Sequence, residues 1–496
     1  MLRALFVSLA FLVFCQTTFS QSIYLPINRW QNLKVTQYLL ETDSLLHNEI
    51  QPFTTFSTNI DREKHKEILG IRPRRTWFGR KLKSENLVEF KNKDLFFTFD
   101  ILYDLKAGSD DFSIDRTYQN TRAFMVNGEI NKKVSFFTSF YENQARYPLF
   151  IANYVNKYDV VPGNGRVKKL GASEFDFAMS SAMLNIDLKK WFNIQLGHHK
   201  NFIGNGYRSL LLSDNAFNYP HLKLIFKSPN KKWVYQNIYA SLINLTRLPA
   251  TTSSEPQFER KAATFHYLSF RPNKFLSVGL FEGNIWQRRN SEGTIPFNFN
   301  YLNPLMFFNS TLSGFDKHQT NNTLGLNFSV NPINNLQLYG QYAIGEFSKF
   351  SKGFQVGLKY NKSLIIGDIS ILTELNQADQ NLYNGTNNLN YNHYNQPLAF
   401  VPITSNKELV VLVDYSLMDF FIATKYSRGT QNDFSIEVRE FVRGEFGYLF
   451  NPLTGLKLSV SYTGRTNFDT SADTFGDANW FSVNFSTTIN RVFSDF

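Results

Sequence analysis

The sequence predicts an all-β fold: a transmembrane antiparallel β-barrel of about 18 strands, with a small N-terminal α-helical periplasmic segment. Three observations predict it. The chain opens with an export leader, its hydropathy has a period of two from about residue 95 onward, and short turns alternate with long polar connections.

The leader reads MLRALFVSLAFLVFCQTTFSQS. Arg3 supplies a positive start, Ala4 to Phe14 an apolar stretch of signal-peptide length, and Thr18 and Ser20 the small residues before a cleavage site. Residues 1–20 are therefore expected to be a cleaved signal peptide, too short to span a bilayer as a helix. Phe14 is bulky where a lipoprotein signal needs a small residue before Cys15. Cys15 is the single cysteine, so a processed chain would have no disulfide and no thiol chemistry.

Residues 21–93 read as irregular to helical. Trp30, Leu33, Tyr38 and Leu39, then Leu45, Leu46 and Ile50, recur at near-helical spacing. Asp61 is placed to cap a short helix over Arg62–Leu69, which Gly70 would end with Pro73 beyond it. This segment precedes the first strand and is expected on the periplasmic side.

Residues 94–496 carry the barrel pattern. Phe97, Phe99, Ile101, Tyr103 and Leu105 share one face, and Thr98, Asp100 and Asp104 the other. Leu324, Leu326, Phe328 and Val330 alternate with Gly325, Asn327 and Ser329; Leu456, Leu458, Val460 and Tyr462 alternate with Lys457, Ser459, Ser461 and Thr463. Tight turns rich in Pro and Asn join paired runs at Ser228–Asn230, Arg271–Lys274, Asn331–Asn335 and Asn451–Gly455. Other connections, such as Asn284–Asn300 and Gln377–Asn406, are long and polar. Short turns at one end and long loops at the other are the layout of Gram-negative outer-membrane barrels. Closure also removes the exposed edges that an open sheet of this size would leave. The terminal Phe496 is aromatic, as barrel-assembly recognition usually wants, while Ser494 stands where an aromatic is usual two places earlier.

Composition agrees. The chain is 43% hydrophobic with 50 Phe and 24 Tyr, as alternating lipid-facing and wet strands require. Its mean hydropathy is nevertheless −0.29, because half of each strand is polar. The formal charge is +11, of which the leader contributes only Arg3. That excess suits loops and a lumen facing anionic lipopolysaccharide, or an acidic polymer. Arg72, Arg74, Arg75, Arg80, Lys81 and Lys83 form the one compact basic run, and nucleic acid is not expected as a partner of an exported chain.

One segment stands out, Gly197 to Pro220. Its glycines lack the Gly-Lys-Ser/Thr of a phosphate loop. His198 and His199 are adjacent on a strand, so they point to opposite faces and do not chelate one metal. Ser209, Ser213, His198, His199 and Asn201 lie near one another in sequence without the sharp nucleophile turn a hydrolase needs. Gly204 and Gly206 read as backbone bends, and Asp214-Asn215 as a local cap. No cofactor, no metal and no enzyme activity are expected.

The segment resembles the signature of Wzi-type capsule-assembly outer-membrane proteins, in which a strand-ending glycine leads to two aromatics, a Gly-x-Gly and a Ser-Leu-x-Leu-Ser-x-Asn-Ala run. Gly197, Phe202, Gly204, Gly206, the run Ser209 to Ala216, and Pro220 hold the matching places. The related RemB-like gliding-motility proteins are similar at Lys64–Pro73 and at Asn300-Tyr301-Leu302-Asn303-Pro304. Phe202-Ile203 stands where the Wzi pattern has a Trp pair, and Asn205 where it has proline. The resemblance implies an eighteen-stranded barrel with a helical periplasmic portion. It also implies a lectin-like hold on surface polysaccharide, or a part in gliding.

The expected function is therefore binding or anchoring of surface exopolysaccharide; a transport pore and a scaffold for secretion or motility proteins are the alternatives. Outer-membrane lipid and lipopolysaccharide are expected partners, with periplasmic or motility proteins for the scaffold. The candidate glycan-binding or motif residues are Phe202, Gly204, Asn205, Gly206, Tyr207, Arg208, Ser213, Asp214 and Asn215, with Trp286, Arg288 and Tyr301 in a long loop beside Arg289.

Overall fold

The computed structural model describes residues 24–42, 45–113, 115–249, 257–313, 320–345, 351–386, 388–400, 406–431, 436–468, 475–487 and 492–496. The expected signal peptide lies outside them.

Eighteen antiparallel strands close into one barrel. They are β1 (Leu95–Asp110), β2 (Thr117–Ile130), β3 (Val134–Arg146), β4 (Glu174–Lys189), β5 (Phe192–His199), β6 (Tyr219–Lys227), β7 (Trp233–Arg247), β8 (Phe258–Phe270), β9 (Leu276–Asn290), β10 (Thr320–Ile333), β11 (Leu336–Ile344), β12 (Lys352–Ser363), β13 (Asp368–Ala378), β14 (Lys407–Leu417), β15 (Phe420–Gln431), β16 (Ile436–Asn451), β17 (Leu456–Asn467) and β18 (Ala478–Ser486). β18 meets β1 from Trp480↔Asp110 to Ser486↔Asp104, which closes the wall. The Pro/Asn turns all fall at one end, the periplasmic end, and the long connections at the other.

The period-two pattern sorts lipid from lumen. On β1, Ile101, Tyr103 and Leu105 are exposed outward, whereas Thr98, Asp100 and Leu102 are buried inward. No described helix is long and apolar enough to cross a membrane.

Among the described residues, the chain's own segments occupy most of the lumen. The lead-in forms α1 (Arg29–Glu41), capped by Asn28, whose side chain accepts from Trp30 and Gln31 amides. It continues through a single turn, Thr55–Thr58, to α2 (Arg62–Ile68) and α3 (Trp77–Lys83). Asp61 caps α2 by accepting from Lys64 N at 2.9 Å, as its place in the sequence predicts. Leu45, Leu46 and Ile50 are not helical; Ile50-Gln51 instead pairs as a two-residue strand with Phe202-Ile203. Leu25, Val35, Leu39, Leu46, Phe53 and Ile60 build a small core.

The first part of this lead-in is not a detached periplasmic body. It sits in the periplasmic mouth. Arg29 pairs with Asp414 at 2.8 Å, Lys34 with Asp368, and Gln31 donates to the carbonyls of Pro452 and Leu453. At the same end, His47 lies 2.6 Å from Ser269 Oγ, and Ser269 donates to Glu49. Burial alone would raise the Glu49 carboxyl, but the His47 and Ser269 hydrogen bonds and the Arg271 charge bring it down to about 2.

Two further expectations are corrected. The Gln377–Asn406 connection is not simply a solvated loop: Leu382, Tyr383, Leu389, Tyr391 and Leu398 are buried against lumenal Phe265, Phe281 and Ile285. Phe496 does not end a strand. β18 ends at Ser486, and the chain turns back so that Phe496 packs on Tyr154 of α4 (Leu149–Tyr158), ring centroids 4.2 Å apart.

Candidate functional site: the extracellular arginine rim

The signature segment leaves β5 and folds into the lumen, where its residues hold the interior together. Gly204 has φ 151°, and a Cβ there would lie 2.6 Å from Gln341 Nε2. A Cβ on Gly206 would lie 2.0 Å from Glu374 Oε2. The missing side chains let that carboxylate accept the amides of Tyr207 and Arg208 at 2.8 and 3.0 Å. Asn205 donates to Asn48 of the lead-in and its carbonyl accepts from Lys359. Ser209 Oγ donates to Ile203 O and accepts from the Leu211 and Leu212 amides, closing a tight turn under three fully buried leucines.

Arg208 is the electrostatic centre of this interior. It grips Glu408 with two bonds of 2.9 and 2.8 Å and lies 3.2 Å from Asp495. Lys425 and Arg439 also reach Asp495, by its carboxylate and its carbonyl. Burial would raise the Asp495 carboxyl; Arg208, Lys425 and Arg439 hold it well below the usual range instead. Phe202, Ser213 and Asp214 are buried, and Asn215 donates to Pro397 O. The structure thus gathers the nine signature residues in the lumen.

Trp286 and Tyr301 meet face to face, ring centroids 3.9 Å apart, on the outer side of β9. Each covers the face a sugar would use. Arg288 donates to Ile295 O and lies over the Phe297 ring at 4.9 Å.

A different constellation stands at the extracellular ends of β7, β8 and β9. Register sets Arg260 directly across from Arg289, and Arg247 across from Phe258. Arg166, from the β3–β4 connection, lies 4.8 Å from the centre of the Phe258 ring, and Arg247 lies 5.9 Å from it. Tyr394 joins them, its amide bonded to Ile243 O. Burial raises its phenol, and the charges of Arg166 and Arg260 counter that rise. Arg166, Arg247 and Arg260 are exposed and Arg289 half-buried. Like charges opposed across strands repel by several tenths of a kcal/mol or more. Arg289 hydrogen-bonds Gln257, and none of the four arginines has a carboxylate in ion-pair contact among the described residues. Such a cluster of guanidiniums can bind an anion that approaches from outside. Only Arg289 was singled out in the sequence. Arg247 and Arg260 could have been found by reading the two hairpins as paired, which stacks them with Arg289 at one end; Arg166, from the β3–β4 connection, carries no such signal.

A second space lies in the lumen, a chamber of about 380 Å³ between α1, β1–β4 and β14–β18. Trp30, Tyr141, Phe421, Lys106, Arg443 and Lys457 line it, and it reaches the periplasmic turns at Leu449 and Gly455. Its acids already answer its bases, Asp104 to Lys106, Asp414 to Arg29 and Glu445 to Lys457.

A closed eighteen-stranded barrel with a lipid-facing apolar belt is an outer-membrane protein. Among solved structures the chain is similar to Wzi of Escherichia coli, described as an outer membrane protein involved in group 1 capsule assembly and a carbohydrate-binding β-barrel. The TM-score is 0.57 at 11% identity, over 94% of this chain and 100% of that one. OccAB2 of Acinetobacter baumannii follows with a TM-score of 0.46 at 11% identity, over 79% of this chain and 97% of that one. OpdK of Pseudomonas aeruginosa with vanillate also gives 0.46, at 9% identity, over 79% and 98%. No sequence-family description and no curated protein matches the chain. At 11% identity the likeness to Wzi speaks for the fold.

Proposed function

We propose that this outer-membrane barrel binds an acidic surface exopolysaccharide at its arginine rim and anchors it to the cell without catalysing a reaction. The observation that carries the reading is the Arg260↔Arg289 opposition beside two guanidiniums on one Phe258 ring. Guanidiniums bind carboxylates in paired hydrogen bonds, so a cluster of them suits the carboxylates of an acidic sugar polymer. The carbohydrate-binding description of Wzi agrees with this class of ligand.

The finer placing, in the RemB-like gliding branch, rests on the resemblance at Lys64–Pro73 and Asn300–Pro304. Deleting the gene and scoring capsule retention beside surface spreading separates the branches: lost spreading with capsule intact supports gliding. A filled lumen disfavours the pore. The scaffold keeps one supporting observation, α3, whose Trp77 and Phe78 are 64% and 69% exposed near the periplasmic turns. Co-purified periplasmic proteins that vanish in a Trp77→Ser/Phe78→Ser variant would favour it.

The direct test is retention of a uronic-acid polysaccharide by purified protein in detergent. Arg247→Ala/Arg260→Ala/Arg289→Ala is expected to lose at least tenfold in affinity while its folding stays unchanged. Unchanged affinity in that variant refutes the rim as the site.

A further inference from the structure

The outer wall of β7–β10 carries only the periplasmic half of the apolar belt found elsewhere. In the outward rows near the turns, Trp233, Phe270, Val278 and Phe328 face lipid, then Tyr235, Leu268, Leu280 and Leu326. The next two rows are mostly polar: Asn237, His266 and Glu282 beside Leu324, then Tyr239, Thr264, Asn284 and Asn322. Glu282 is six residues beyond Leu276, about 20 Å along the strand and about 14 Å in height at a tilt of about 45°. That is mid-depth in an apolar band about 25 Å tall. A carboxylate facing hydrocarbon there would be costly.

Yet Asn237, Thr264, His266, Glu282 and Asn284 are fully buried. The β9–β10 connection covers them. Its 3₁₀ turn Phe299–Leu302 and the short helix α5 (Phe308–Ser313) lie on the outside of the wall. Thr264 Oγ1 donates to Tyr301 O at 2.8 Å, Tyr239 to Leu302 O at 3.0 Å, and Tyr235 to Pro304 O. Glu282 accepts from Phe307 N at 2.6 Å and from Ser310 Oγ. The polar rows thus satisfy backbone groups of an irregular segment, which hydrocarbon otherwise forbids. The opposite side of the segment is apolar: Phe299 is 78% exposed and Leu305 63%, with Leu302 and Phe307 exposed beside them.

From this packing we infer that Phe297–Ser313 is a lipid-embedded strap, an interaction surface whose partner is the acyl chains of the membrane at mid-depth. It replaces the missing apolar rows. It also gives Asn300–Pro304 a task distinct from sugar contact, since three of its carbonyls are the points at which the wall holds the strap.

Cys15 is the only cysteine, so a single fluorophore can be placed at Leu305→Cys in the leaderless, refolded protein reconstituted in liposomes. Controls are Leu326→Cys on the exposed belt and Ser291→Cys on the extracellular loop. Spin-labelled acyl chains are expected to quench the Leu305 probe within twofold of the Leu326 probe, and aqueous iodide to quench it at least fivefold less than the Ser291 probe. Iodide quenching equal to that at Ser291 overturns the proposal. Adding Glu282→Leu is expected to raise iodide access at Leu305; a folded double variant whose probe stays in lipid overturns the role given to Glu282. If that variant fails to fold, the single-cysteine comparison still decides.

Discussion

Two groups of arginines do opposite work. Arg208 is buried with Glu408 and Asp495, and removing it leaves those carboxylates with only Arg439 and Lys425 as buried counter-charges. Arg208→Ala is expected to cost about 3–5 kcal/mol of stability, read as a lower unfolding midpoint in urea. Arg260 and Arg289 face each other without a carboxylate in ion-pair contact among the described residues, so Arg260→Ala is expected to leave that midpoint within about 0.5 kcal/mol. Glu49 makes the lumen sensitive to acid. Its carboxyl drops from 4.5 to about 2 on folding, so its contribution is full above about 4.5 and is lost as pH falls through about 2. Glu49→Gln is expected to flatten that part of the stability profile, measured by tryptophan fluorescence.

At the scale of elements, the strands were readable and the lumen was not. Phe97 to Leu105 announce their faces because lipid and water impose alternate chemistry on successive residues. The segment after β5 announced that it was special, but its purpose was hidden: Gly206 is required by Glu374, far along the chain. The same holds for Trp286 and Tyr301, which read as loop aromatics and proved to be a stacked pair on the outer wall. The final element was misleading, since Phe496 belongs to the lumen and Phe485 to the last strand. A chain ending at Ser486 is therefore expected to insert as a heat-modifiable barrel. Phe485→Ala in the full chain is expected to cut inserted protein severalfold, as read on unboiled gels.

At the scale of the molecule, the barrel is a filled wall with a charged crown. The lead-in occupies the periplasmic mouth, the signature segment the middle, and α4 with the C-terminal tail the extracellular end. In planar bilayers it is expected to show no steady large conductance, and removing residues 24–60 to open one. Association at the crown depends on exposed charges, so it weakens with salt, whose screening length falls from about 10 Å at 0.1 M to about 3 Å at 1 M. The most direct measurement is calorimetric titration of a uronic-acid polysaccharide into the native barrel and the Arg247→Ala/Arg260→Ala/Arg289→Ala variant at both salt concentrations. Salt-sensitive binding that disappears in the variant is the expected result; equal, salt-independent binding by both proteins would contradict the account.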